Sequence, residues 1–150
     1  MTRNRFVDPD VTRLPISEGD FIDVKARLTH GEREDYFSII GPYDATGQTA
    51  FDRRLVRTAK VLAYLVGWSL TRNGQPVPMS PELSATERES TVRALDTDTF
   101  DEIYAAISAH EEKVNKERVA RKNTQAGETA SPAISPSPAD CTGDMNGSAH

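Results

Sequence analysis

At 150 residues, with 37% hydrophobic and 27% charged side chains, the chain has material for one modest core and none for a large multidomain enzyme. Lys and Arg number 18 against 23 Asp and Glu, a net charge of −5 that excludes a body binding nucleic acid over its whole surface. The single cysteine, Cys141, excludes an intrachain disulfide and a zinc site built from several cysteines.

Residues 1–19 read as a polar lead-in, where Pro9, Pro15 and the alternation of Val11, Arg13, Leu14 and Ile16 allow only a short edge strand. The early arginines Arg3 and Arg5 are followed by no apolar stretch of the signal-peptide kind, and the greasiest run, 61–66, is too short for a membrane span. The expectation is therefore a cytoplasmic chain. Segment 21–28 reads as a strand, and the turn formers Ser17, Glu18, Gly19 and Asp20 before it predict a small hairpin. Thr29 and Glu32 have the spacing of a capping box, which predicts a helix over 29–40 that stops at Gly41 and Pro42.

After a polar loop, Leu55, Val56, Ala59, Leu62, Ala63 and Val66 recur at helical spacing, with Arg53, Arg54, Arg57 and Lys60 on the other side. This predicts a central helix over 51–66 closed by Gly67. Residues 68–70 look extended, and Asn73 with Gly74 marks a turn. Ser80 before Pro81, and Ser84 with Glu87, both mark the start of a short helix reaching about residue 95.

Asp98 is the expected cap of a last helix over 99–122, whose first half carries Phe100, Ile103, Tyr104 and Ile107 on one face. Beyond His110, which reads as a surface residue, the helix is nearly all charged and is expected to project into solvent or toward a partner. From 123 to 150 there is no Lys, Arg or aromatic residue, and Pro132, Pro136 and Pro138 punctuate a Ser/Ala/Thr-rich stretch. Such a segment cannot bury enough apolar surface to offset its ordering entropy. The expected fold is α+β and mainly helical: a small N-terminal β-hairpin, three to four helices and a disordered C-terminal tail. Its parts are the lead-in at 1–19, one globular domain at 20–122 and the tail at 123–150.

Chemistry-bearing motifs are missing from the sequence. It contains no glycine-rich phosphate or dinucleotide loop and no His-Glu-x-x-His zinc motif. His30, His110 and His150 lie far apart with no ligand partners at metal-binding spacing. Glu32 with Glu34 and Asp35, and Glu111 with Glu112, read as solvated helix surface rather than acid–base pairs. Cys141 falls in predicted coil with no cationic neighbour to activate it. A non-catalytic chain without metal or cofactor is the expectation. Two basic clusters remain, Arg53, Arg54, Arg57 and Lys60, and Lys113, Lys116, Arg118, Arg121 and Lys122. Each reads either as a phosphate-binding stripe or as helix solvation, and no interleaved aromatics favour the first. Trp68 reads as a core anchor or an interface hot spot.

Three stretches, FIDVKARLTHGE at 21–32, LAYLVGWSLT at 62–71 continuing through GQPVPMS at 74–80, and LDTDTFDEI at 95–103 with the helix to Glu111, carry a resemblance. In this order and spacing they resemble the tail assembly chaperones of long-tailed, siphovirus-type bacteriophages, over about residues 20–122. The resemblance implies a non-catalytic protein that binds the tape-measure and tail tube proteins during tail morphogenesis in the bacterial host cytoplasm and is absent from the mature virion. The partner-facing surfaces would then be the outer faces of the helices over 51–66 and 99–114. Tyr64, Trp68, Tyr104 and Val114 are the candidate anchors, with a core role as the alternative for the three aromatic residues. Self-association stays open. A structural virion protein, such as a head–tail connector or tail completion subunit, and a small DNA-binding regulator are the rival classes.

Overall fold

The computed structural model describes residues 5–41, 45–48 and 52–128, with the side chains of Arg54 and Glu128 outside that set. Strand β1, Val11–Pro15, runs antiparallel to β2, Phe21–Lys25, with Val11 opposite Lys25 and Leu14 opposite Ile22. The loop between them closes through a one-turn 3-10 segment, Ser17–Gly19, in which Glu18 and Gly19 take left-handed φ of 60° and 82°. Alternation along β2 places Ile22 and Val24 at the centre of the core, both fully buried. The strand is shorter than the expected 21–28, because residues 26 and 27 bend away toward the cap of the first helix.

Helix α1, His30–Ile40, opens on the expected capping box: Thr29 Oγ1 accepts from the Glu32 N–H at 3.2 Å, and Glu32 Oε2 accepts from the Thr29 N–H at 2.8 Å. Helix α2 spans Arg53–Tyr64 and is shorter than the expected 51–66. Leu65–Trp68 leaves it directly as strand β3, which pairs antiparallel with β2 and makes β2 the middle of a three-stranded sheet. The pairing sets Trp68 opposite Ile22, Gly67 opposite Asp23 and Leu65 opposite Val24, so Val66 is an extra residue bulged out of the ladder. Gly67 is therefore a strand residue and not the helix stop.

Two contacts explain the switch. The free β2 edge offers backbone partners to Leu65–Trp68, and the α2 carbonyls left behind are taken by a side chain: Arg88 Nη2 donates to Leu62 O at 3.0 Å and Leu65 O at 2.6 Å. Ser69 prolongs the pairing, its N–H donating to Phe21 O at 3.0 Å and its Oγ accepting from the Phe21 N–H at 2.9 Å. A two-residue turn of Asn73 and Gly74, φ 51° and 76°, then links β4, Thr71–Arg72, to β5, Gln75–Pro76.

Helix α3 is Ala85–Arg93, capped by Ser84 with Glu87, and the Ser80–Pro81 signal instead gives a turn. Helix α4 runs Thr97–Glu128. Its cap is Asp96 rather than the expected Asp98: the Asp96 carboxylate accepts from the Thr99 N–H at 2.9 Å and from Thr99 Oγ1 at 2.7 Å. The helix continues past the expected end at 122, so residues 123–128 are helical, while 129–150, with Cys141 and His150, lie outside the described residues. The core joins one sheet face to the helices through Ile22, Val24, Val61, Leu65, Val92, Ile103 and Ile107, all at most 1% exposed, with Tyr64 and Met79 beside them. The fold is α+β and mainly helical.

Candidate partner-binding surfaces

The four candidate anchors occupy different surroundings. Tyr64, at the end of α2, is 5% exposed and belongs to the core. Its hydroxyl donates to Glu111 Oε1 at 3.3 Å, while Glu111 Oε2 pairs with Lys60 Nζ at 2.5 Å. Burial, reinforced by the Glu111 charge, pushes the Tyr64 phenol up to about 12. Tyr104 is half-buried on α4 under two cations, Arg57 at 4.6 Å and Lys60 at 5.6 Å from its ring centroid. Lys60 thus connects the two tyrosines. Trp68 is half-buried against the core, and its indole N–H donates to Val77 O at 2.9 Å, tying β3 to the chain after the β4–β5 turn. Val114 is half-buried on α4, lining a polar cleft with Phe6 and Val7 of the lead-in.

His110 corrects the expectation of a surface residue, being 8% exposed. Nε2 lies 3.1 Å from Lys25 O and 3.2 Å from Ala26 O, two acceptors that require it to carry the ring proton. Its ring meets Tyr64 edge-on at 6.3 Å between centroids. The imidazole thus ties α4 to the carbonyls at the bend after β2. From Lys116 to Gly127, by contrast, every α4 side chain is exposed.

Of the carboxylates weighed as acid–base pairs, Glu32, Glu34, Glu111 and Glu112 are engaged in structural contacts. Glu32 closes the α1 cap and pairs with Lys25 Nζ at 2.6 Å; burial works against its ionisation, but the bonds from Lys25 and Thr29 prevail and hold it below the usual range. Glu112 pairs with Lys116 at 2.8 Å, and that bond lowers its pKa. His30, exposed, faces Glu34 at 3.3 Å. Among the described residues no group of three or more His, Cys, Asp or Glu stands ready to hold a metal ion, and no helix is long and apolar enough to cross a membrane.

Four members of the basic clusters are engaged in ion pairs. Arg57 pairs with Asp101, Lys60 with Glu111, Lys116 with Glu112 and Arg121 with Glu117. The Arg54 side chain lies outside the described residues.

A surface that sequence reasoning did not single out is a groove of about 450 Å³ between α1, α2 and α3. Tyr36 and Ile39 of α1 face Leu55, Ala59, Leu62 and Ala63 of α2 across it, with Lys25, Glu32, Arg88 and Glu89 also lining it. Ile39 is 49% exposed and the neighbouring Phe37 is 55% exposed. The available signal was the cluster Tyr36, Phe37, Ile39 and Ile40 at the end of α1, too many apolar residues for one short helix to bury on a single face. Compared with protein-family models, curated proteins and solved structures, the chain shows no match.

Proposed function

We propose that the chain is a non-catalytic tail assembly chaperone that holds the tape-measure and tail tube proteins while a phage tail is built. The observation that carries this reading is the apolar groove that the described residues form between α1, α2 and α3, bordered by charges of both signs, which suits an apolar stripe of another chain's helix. The exposed distal half of α4 supplies a second, polar arm, and the family resemblance over about residues 20–122 supplies the identity of what is held.

Co-expression with the tape-measure protein tests the reading. The expected result is a soluble complex that Leu62→Arg, placed in the groove, prevents from forming. Mass spectrometry of purified virions is the second arm, and abundant peptides of this chain in mature particles would favour a structural virion protein instead.

A further inference from the structure

A second, smaller depression of about 200 Å³ lies where α1, α2 and α4 meet. Its lining includes Arg33 and Phe37 from α1, Lys60 and Tyr64 from α2, and Glu111 and Arg118 from α4. Three cations thus surround one carboxylate, and that carboxylate is already occupied by Lys60 and the Tyr64 hydroxyl. Arg33 and Arg118 are both exposed, and among the described residues neither guanidinium is paired with a carboxylate. Phe37, which lines the same depression, is 55% exposed, its ring 5.2 Å from that of Tyr36. On a chain with net charge −5, this is a locally positive, aromatic-floored spot.

We infer that this depression is a docking site for an acidic segment of a partner protein, anchored by one apolar side chain on Phe37 and clamped by carboxylates on Arg33 and Arg118. Guanidinium groups pair bidentately with carboxylates, and an exposed aromatic offers the apolar anchor that interface hot spots require. Nucleic acid is the poorer occupant: the two open cations form no row that tracks a phosphate backbone, and Glu111, Glu112 and Glu117 share the helix with Arg118. The inference deepens the holding function and rests on it, naming the chemistry of one held segment at a place that adjoins the apolar groove and shares Tyr36 with it.

The test uses the full chain and a fluorescein-labelled amphipathic peptide of alternating Glu and Leu blocks, with a counterpart in which Gln replaces every Glu. Anisotropy should show binding of the acidic peptide only, weakening with added salt, and about tenfold weaker for each of Arg33→Glu and Arg118→Glu. Phe37→Ala should weaken both the low-salt and the high-salt binding, whereas Arg72→Glu, exposed on β4 and outside the depression, should leave it unchanged. Equal affinity for the Gln peptide, unchanged binding by the double arginine variant, or tighter binding of duplex DNA than of the peptide would each overturn the site. Circular dichroism of the exposed-residue variants verifies that the fold persists. If the tape-measure complex forms but the peptide fails, the site falls and the holding function stands; if the peptide binds and no tail protein is captured, the reverse holds.

Discussion

The guanidinium of Arg88 on α3 donates to the main-chain carbonyl of Leu65, 2.6 Å away, at the point where α2 becomes β3. A cation placed on the carbonyl end of a helix opposes the negative pole of its dipole and satisfies groups that have no intrahelical partner. Burial lowers the Arg88 pKa, yet the group remains a cation at any ordinary pH, and its Nε is buried without a partner. Arg88→Leu should therefore destabilise the fold by about 2–4 kcal/mol through the orphaned carbonyls of Leu62 and Leu65, and Arg88→Lys by less. Urea unfolding midpoints measure both.

Acid should weaken the fold in a defined window. Arg13 donates to Asp23 at 2.8 Å and holds its carboxyl below the usual range, and Glu32 is lowered as well. A carboxylate with a depressed folded pKa stabilises the fold above its unfolded value, about 4, and loses that contribution as the pH falls through the folded value. Chemical-denaturation midpoints should hold steady near neutrality and decline below about pH 4, and Asp23→Asn should flatten the decline.

Alkali acts through Tyr64 with the opposite sign. Its folded pKa is raised to about 12, so stability is intact below the unfolded value of about 10 and drains away as the pH climbs between the two. Tyr64→Phe should remove that alkaline sensitivity while costing the hydrogen bond to Glu111. Unfolding midpoints measured from neutral to strongly alkaline pH, compared between the two proteins, check it.

Trp68→Ala should cost about 2–4 kcal/mol, combining lost packing with the loss of the bond to Val77 O. Trp68→Phe keeps most of the packing and should isolate the hydrogen bond at about 1 kcal/mol. Thermal melts of both variants separate the two contributions.

Glu18 holds a left-handed φ of 60° in an exposed turn. Glycine occupies that region without a side-chain penalty, so Glu18→Gly should raise stability by about 0.5–1 kcal/mol. An unchanged or lowered melting temperature would contradict this.

What could be foreseen from the residues depended on whether the signal was local. The Thr29 and Ser84 caps, the Asn73–Gly74 turn and the strand that begins at Phe21 are written within a few residues, and the structure realises each of them. The end of α2 was not foreseen, since the apolar spacing of Leu62 and Val66 continues a helix and only the distant β2 edge and Arg88 convert 65–68 to strand. The burial of His110 is likewise invisible locally: its partners are carbonyls more than eighty residues earlier in the chain. The anchors showed a similar split. Tyr64 and Trp68 are visible as unusual residues, but their surroundings depend on Glu111 and Val77, and the apolar groove exists only once three helices have packed.

The central strand has a consequence for how the molecule is made. One edge of β2 is satisfied at once by β1, its neighbour in sequence, but the other waits for a segment lying beyond two helices. On the ribosome, Ile22 and Val24 emerge long before Leu65 and Trp68, and Ile103 and Ile107 come later still. The nascent hairpin thus spends much of its synthesis with a bare greasy stripe and an open ladder, the interval in which the chain is most exposed to capture by proteases or by its own kind.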